Sequence, residues 1–207
     1  MIRSIWTFIK KTCGEKHAGA PKGSRKPVVT YEDEYCNIEV LPAALTEHCR
    51  KEMNAIDEFS EAHRDGVGYN DVYERKEAPL ALAALGISRD EMLVCAHKFA
   101  SERTVAYAEY GEAFQGTYGF GESENVVLFF ECNDAMTVSA IWLRLNILSL
   151  QDMNDASRLC AALAALRPLI VAHWSCSKFA ALENTGEVTA LLKALYEVHN
   201  AGTAEPS

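Results

Sequence analysis

The chain of 207 residues is 49% apolar and 24% charged, a composition typical of a globular protein with one domain of ordinary size. No run approaches the ~18 apolar residues that a membrane-spanning helix needs, and the apolar block at residues 5–9 is too short for a signal peptide. The seven cysteines are scattered and contain no Cys-x-x-Cys pair, which favours free thiols over a disulfide framework or a zinc site. We therefore expect a cytoplasmic protein with no cofactor and no bound metal.

The net charge of −9 is unevenly distributed along the chain. Residues 1–27 carry seven basic side chains and one acidic side chain, whereas the remaining residues carry 13 basic and 28 acidic side chains. A body this acidic repels nucleic acid and anionic membranes and attracts basic partners. The alternative interpretation is that the charge only keeps the protein soluble.

The charge boundary coincides with a predicted domain boundary. Residues 14–27 are rich in Gly, Pro and Lys, so residues 1–27 are predicted to form a basic, flexible N-terminal arm. Within this arm, residues 2–12 have the pattern of a short amphipathic helix, which either binds a membrane surface or packs loosely on the body. We expect one folded domain over residues 28–200 and a disordered tail over residues 201–207.

The first part of this domain begins with a strand pattern and continues with a helix pattern. Apolar and polar side chains alternate over residues 35–40, which predicts a half-buried strand that Pro42 ends. Apolar side chains at spacings of three and four then predict an amphipathic helix over residues 43–64, with a loop over residues 64–71.

Two shorter helices and a strand are predicted next. Residues 78–85 are rich in Ala and Leu, and the glycine that follows them is typical of a helix end. The capping box at residues 88–91 predicts a helix that continues to about residue 100. From residue 104 the period falls to two, which predicts a strand before the glycine-rich passage at residues 111–121.

The centre of the predicted fold is a β-hairpin over residues 124–146. Two apolar runs flank the turn-forming residues 132–135. In the second run we expect one face to carry Val138, Ala140 and Trp142, and the other face to carry Ile141, Leu143 and Leu145. Because both faces are apolar, both are predicted to be covered.

The last part of the chain predicts a helix, a strand and a second helix. A capping signature at residues 149–152 opens a helix that runs to about residue 167. A buried strand follows at residues 169–174, and a helix with inward Val188, Leu195 and Val198 begins at about residue 185. These elements predict a single α+β domain in which helices pack on a mostly antiparallel sheet.

Candidate residues for catalysis are few. His173 and Cys176 lie at the end of the strand predicted at residues 169–174, where active-site residues often lie. A nucleophilic thiolate needs a nearby base, but residues three apart across a strand end face differently and seldom form a hydrogen bond. The alternative is a histidine with a local hydrogen bond and a cysteine packed in the core.

A loop histidine is the candidate metal ligand. His63, Asp65 and Asp71 supply two or three ligands, whereas a metal site needs three or four that converge. His48 and His97 lie on predicted helices without a His-Glu-x-x-His partner, and a surface histidine is the plain interpretation of each.

Two acidic clusters are better candidates for a binding surface, because carboxylates attract a basic partner and tyrosine rings supply contact area. The first cluster consists of Tyr31, Glu32, Asp33, Glu34 and Tyr35. The second cluster, expected near one end of the hairpin and the helix after it, consists of Glu131, Asp134, Asp152 and Asp155. An ordinary solvated face remains the alternative for both clusters.

Residues 31–42, the helix after them, the loop at residues 66–75 and the strand at residues 169–174 together resemble small acidic bacterial immunity proteins of polymorphic or contact-dependent toxin systems. The resemblance covers residues 28–199 and implies a protein that binds a cognate toxin domain, such as a nuclease, and blocks it. Two alternatives remain open. One is a small enzyme that uses Cys176, His173 and His63, and the other is a peripheral membrane scaffold anchored by residues 1–12.

Overall fold

The computed structural model describes residues 26–31, 34–66, 68, 70–107 and 116–201. It contains four α-helices, which are α1 (Thr46–His63), α2 (Arg89–Phe99), α3 (Leu150–Ala164) and α4 (Thr185–Ala201). The strands are β1 (Val28–Thr30), β2 (Ile38–Pro42), β3 (Glu102–Arg103), β4 (Val105–Tyr107), β5 (Thr117–Phe120), β6 (Val126–Cys132), β7 (Val138–Leu145), β8 (Leu169–His173) and β9 (Lys178–Ala181). Apart from residues 26, 27 and 201, the predicted arm and tail lie outside the described residues, and Ala201 is the last residue of α4.

Seven strands form one antiparallel sheet in the order β3-β5-β6-β7-β2-β8-β9. Strands β1 and β4 form a separate parallel pair. The prediction of an α+β fold with a mostly antiparallel sheet and packed helices is therefore confirmed.

The sheet is covered on both faces. Helices α2, α3 and α4 cover one face with a large apolar core that includes Leu128 of β6 and Leu159 of α3. On the other face, α1 packs on β8 through Cys49 and Ile170, and the β1–β4 pair covers Trp142 of β7. This burial on both faces explains why the strands β6 and β8 are apolar throughout most of their length.

The central hairpin is confirmed, but one of its side chains lies on a different face from the one predicted. The register changes at the end of β6, where Glu131 pairs with Ala140 and Cys132 pairs with Val138. This β-bulge reverses the side-chain alternation at one point, because an extra residue separates the two pairs. Val138 therefore lies in the helix-covered core, not on the opposite face with Trp142.

The capping signatures are confirmed, and several element bounds differ from prediction. The strand predicted from residue 35 begins at Ile38 and includes Pro42, because residues 35–37 form a turn in which Cys36 has a φ of 56°. The segment at residues 78–85 forms only a short 3₁₀ turn, Leu82–Leu85. Val198 was predicted to face inward but is 61% exposed, and the edge strand β9 was not predicted.

Candidate functional site

The first predicted acidic cluster is only partly available at the surface. Tyr31 is 55% exposed, whereas Glu32 and Asp33 lie outside the described residues. The Glu34 carboxylate accepts two hydrogen bonds from the Arg144 guanidinium, one of them 3.0 Å long from Nε to Oε1. Arg144 is only 8% exposed, so Glu34 serves as the internal counter-charge of a buried cation.

Tyr35 and Glu131 join the two predicted clusters inside the protein. The Tyr35 hydroxyl donates to Glu131 Oε2 at 3.5 Å, and the Thr117 hydroxyl donates to Glu131 Oε1 at 2.8 Å. Burial raises the pKa of the Glu131 carboxyl, and these two hydrogen bonds oppose that rise. Burial also raises the pKa of the Tyr35 hydroxyl. This pair therefore favours a structural role over contact with a partner.

The second predicted cluster does not assemble at one end of the hairpin. Asp134 is exposed in the turn after β6. Asp152 lies at the other end, because its Oδ1 accepts from the Asn125 side chain at 3.2 Å and Asn125 directly precedes β6. Seven strand residues rise roughly 23 Å, so the prediction that Asp134 and Asp152 lie together is wrong.

Asp152 and Asp155 have partners in and around α3. Asp152 is buried and accepts a 2.7 Å hydrogen bond from the Ser149 hydroxyl, which fixes the start of the helix. Asp155 forms a 3.1 Å ion pair with Arg158 and accepts from Gln151 at 3.1 Å. Neither carboxylate stands free at the surface.

A further set of unpaired carboxylates lies on α1 and on the loop after it. We name this set the acidic ridge, and it consists of Glu58, Glu61, Glu74 and Glu77. All four are exposed, and their side chains form no hydrogen bond or ion pair with another described residue. Glu58 and Glu61 are three residues apart on α1, a spacing that makes them neighbours on one helix face.

The loop that carries half of the acidic ridge is fixed against α1 and the sheet. The Tyr73 hydroxyl donates to the buried Glu52 carboxylate of α1 at 3.2 Å. Arg75 donates to Glu39 of β2 at 2.6 Å, and its guanidinium lies over the Trp174 ring at 4.3 Å. The ridge is therefore presented by a helix and an anchored segment, so little conformational freedom would be lost when a partner binds it.

The helical repeat of α1 in the sequence already indicates that Glu58 and Glu61 lie away from the core. At about 100° per residue, Glu58 lies roughly opposite the buried Cys49 around the helix, and Glu61 lies roughly 120° from Cys49, so both are displaced from that buried position. Glu61 also lies in the last turn of α1, where the helix dipole disfavours negative charge. Helix stability therefore does not explain the position of Glu61.

The loop histidine predicted as a metal ligand is engaged in local contacts. The His63 ring stacks on Phe59 with 3.9 Å between centroids, and its Nδ1 lies 2.9 Å from the Phe59 carbonyl. Its Nε2 lies 3.9 Å from an Asp71 carboxylate oxygen. Among the described residues no group of three or more His, Cys, Asp or Glu side chains is placed to hold a metal ion.

The structure brings the other enzyme candidates together, contrary to the expectation from an extended strand. β8 ends at His173, and residues Trp174–Cys176 form a 3₁₀ turn that returns the chain toward the histidine. Cys176 Sγ lies 3.8 Å from His173 Nε2, and Ser175 Oγ lies 3.2 Å from His173 Nδ1. The turn places a thiol within hydrogen-bond reach of an imidazole.

These side chains open onto a cavity of about 260 Å³. It lies where the end of β7, the start of β2 and the end of β8 meet beneath the last turns of α4. The apolar part of its wall consists of Ile38, Leu143, Leu145, Leu195 and Val198. Its polar wall includes the Glu34–Arg144 pair and the side chains of Asn37 and Asn146.

No protein-family model, curated protein or solved structure matches the chain. None of the described helices combines the length and the hydrophobicity that spanning a bilayer requires. Residues 1–12, on which the membrane-scaffold alternative depends, lie outside the described residues.

Proposed function

We propose that the protein binds a basic protein partner and neutralises it, as an immunity protein blocks its cognate toxin domain. The observation that carries this proposal is the acidic ridge, where four exposed carboxylates have no partner among the described residues. The resemblance to immunity proteins and the acidic composition of the body support the same function.

An unpaired carboxylate is more accessible to a cationic partner than a carboxylate that already forms an ion pair within the protein. A cationic partner that meets Glu58 or Glu61 displaces only water and counterions, whereas a partner that meets Glu34 has to compete with Arg144. Complementary charges also steer diffusional encounter and can raise association rates by ~10 to 10³-fold at low salt. The ridge is therefore suited to rapid capture of a basic protein.

The predicted cluster residues contribute unequally to this proposal. Tyr31 and Asp134 are exposed and remain candidates for partner contact. Glu32 and Asp33 also remain candidates from the sequence. Glu34, Glu131, Asp152 and Asp155 are engaged within the protein, so we assign them a supporting role in holding the fold around the binding surface.

A capture experiment with matched variants tests the proposal. The tagged full-length protein is incubated with lysate of its source cells at low and at high salt, and bound proteins are identified by mass. We expect one basic protein in stoichiometric amount at low salt and much less at high salt. Glu58→Gln combined with Glu61→Gln, which removes two of the ridge charges, should greatly reduce this capture.

The control is a variant with the same type of change on α4 and just before it, Glu183→Gln with Glu197→Gln. Both glutamates are exposed, and neither side chain has a partner among the described residues. This variant should retain the partner. Equal capture by the ridge variant and the control, or recovery of no basic protein at either salt concentration, would contradict the proposal.

A further inference from the structure

Three side chains at the end of β8 have the arrangement that nucleophilic catalysis by a thiol requires. His173 Nε2 lies 3.8 Å from Cys176 Sγ, and His173 Nδ1 lies 3.2 Å from Ser175 Oγ. In the tautomer that carries its proton on Nδ1, His173 donates to Ser175 Oγ and its Nε2 accepts from the Cys176 thiol. A nucleophile, its base and a group that orients the base are thus within reach of one another.

The backbone holds this arrangement in place from several sides. His173 pairs with Ile38 of β2 and with Lys178 of β9, so its position is fixed within the sheet. The Trp174 N–H donates to the Asn37 carbonyl at 3.0 Å. Ser177, which ends the turn, adopts a φ of 49° and donates from its hydroxyl to Asp57 at 2.6 Å. Side chains on such rigid elements keep the geometry that a reaction needs.

Cys176 differs from the other described cysteines in its surroundings. It is half-buried, and of the six described cysteines it is the one whose sulfur lies against a histidine. Burial raises the pKa of the Cys160 thiol to about 12 and also raises the pKa of the half-buried Cys132 thiol. Those thiols are poor nucleophiles near neutral pH, because the thiolate is the reactive form.

The cavity next to Cys176 favours a small, neutral and partly apolar ligand. Its volume of about 260 Å³ is slightly below the ~300 Å³ at which typical small-molecule sites begin. The charges of Glu34 and Arg144 in its wall are paired with each other, so they offer no uncompensated charge to an ionic ligand. The Asn37 and Asn146 side chains form no hydrogen bond with another described residue, and their amide N–H groups suit a carbonyl oxygen.

We propose that this cavity is an acyl-transfer site in which Cys176 is the nucleophile and His173 is its base. The substrate class is a short, neutral acyl ester or thioester. His173 Nε2 takes the thiol proton as Cys176 Sγ forms a bond to the carbonyl carbon, and the bond from that carbon to the leaving oxygen or sulfur then breaks. The proton passes from His173 to the leaving group. Water next attacks the thioester on Cys176, which releases a carboxylic acid and restores the thiol.

The test uses the full-length protein and para-nitrophenyl butyrate as the probe. We expect release of nitrophenolate together with one butyryl group on the peptide that contains Cys176, detected by mass. Cys176→Ala should abolish this adduct, whereas Cys132→Ala, a change at another half-buried cysteine, should leave it intact. Absence of a butyryl group on Cys176, or acylation of Cys132 at the same rate, would overturn the proposal.

The role of His173 is tested by two variants. His173→Gln should slow acylation of Cys176 by roughly 10²-fold, the lower end of what a general base contributes. Because His173 is only 7% exposed, its replacement can disturb the fold, and thermal unfolding is measured in parallel. Ser175→Ala changes an exposed side chain and should give a smaller loss without destabilisation. Unchanged acylation rates in both folded variants would exclude the proposed base.

Discussion

The carboxylates of the acidic ridge are exposed and unpaired, whereas the carboxylates of Glu34 and Asp152 are engaged by other groups of the protein. Glu34 balances the buried Arg144, and Asp152 accepts from Ser149 and Asn125, so both lie inside hydrogen-bond networks. Glu58 and Glu61 face solvent and have no partner among the described residues. A count of acidic residues therefore does not locate binding capacity, because what matters is which carboxylates the fold leaves unpaired.

Removing the cation of the buried Glu34–Arg144 pair should destabilise the protein more than any other change proposed below. Arg144→Met should lower the free energy of unfolding by about 3 kcal/mol, because the Glu34 carboxylate and two backbone carbonyls then lose their donors. This value is at the low end for a buried pair, since the Glu34 side chain is 31% exposed. Denaturant unfolding measures the loss. Arg158→Met, which removes the 58%-exposed cation of the Asp155 pair, serves as the control and should lower the free energy of unfolding by less than ~1 kcal/mol.

Replacement of the buried carboxylate at the start of α3 should have the next largest effect. Asp152→Ala leaves the Asn125 side chain, the Ser149 hydroxyl and the Leu148 N–H without their acceptor. We expect a loss of about 2 kcal/mol in the free energy of unfolding, measured by denaturant titration. A loss no greater than that of Asp155→Ala would show that the network around Asp152 contributes little.

Glu131 is expected to make stability depend on pH. Burial raises the pKa of its carboxyl above the ordinary value of 4.5, so the folded protein binds the proton more tightly than the unfolded chain does. The contribution of Glu131 to the free energy of unfolding is therefore most favourable at a pH below 4.5. This contribution is lost as the pH rises through the higher pKa of the folded state. Glu131→Gln should gain in stability relative to wild type over this range. A difference between the two proteins that does not change with pH would contradict the assignment.

The smallest stability effect should come from the ridge. Glu58→Gln combined with Glu61→Gln removes charge near the end of α1, where the helix dipole disfavours it, so stability should stay equal or rise by about 0.5 kcal/mol. Thermal unfolding measures this change. Destabilisation by more than ~1 kcal/mol would mean that these carboxylates support the fold and are not free for a partner.

The fold was predictable where the information is local. The capping box at Ser88 and the apolar runs of β6 and β7 are short-range patterns, and each predicted its element. The β-bulge that places Val138 in the helix-covered core was not predictable, because it depends on how two strands pair and not on either strand alone.

The partners of the acidic residues were not predictable for a related reason. The Glu34–Arg144 pair joins residues 110 positions apart, and the Tyr35–Glu131 pair joins residues 96 positions apart. Such contacts cannot be predicted from the spacing of residues in the sequence. Acidic residues that are adjacent in the chain were therefore predicted to form a surface cluster. The contact of His173 with Cys176 is local, but it required a 3₁₀ turn where an extended strand was expected.

Capture by the acidic ridge is tested most sharply by the association rate of the captured basic partner, measured by stopped-flow mixing over a range of salt concentrations. We expect Glu58→Gln with Glu61→Gln to slow association by roughly tenfold at low salt, and we expect this difference to disappear at high salt. The control Glu183→Gln with Glu197→Gln, which changes the net charge equally, should stay within about twofold of wild type. Equal slowing by both variants, or no dependence on salt, would contradict the claim that the acidic ridge captures the partner.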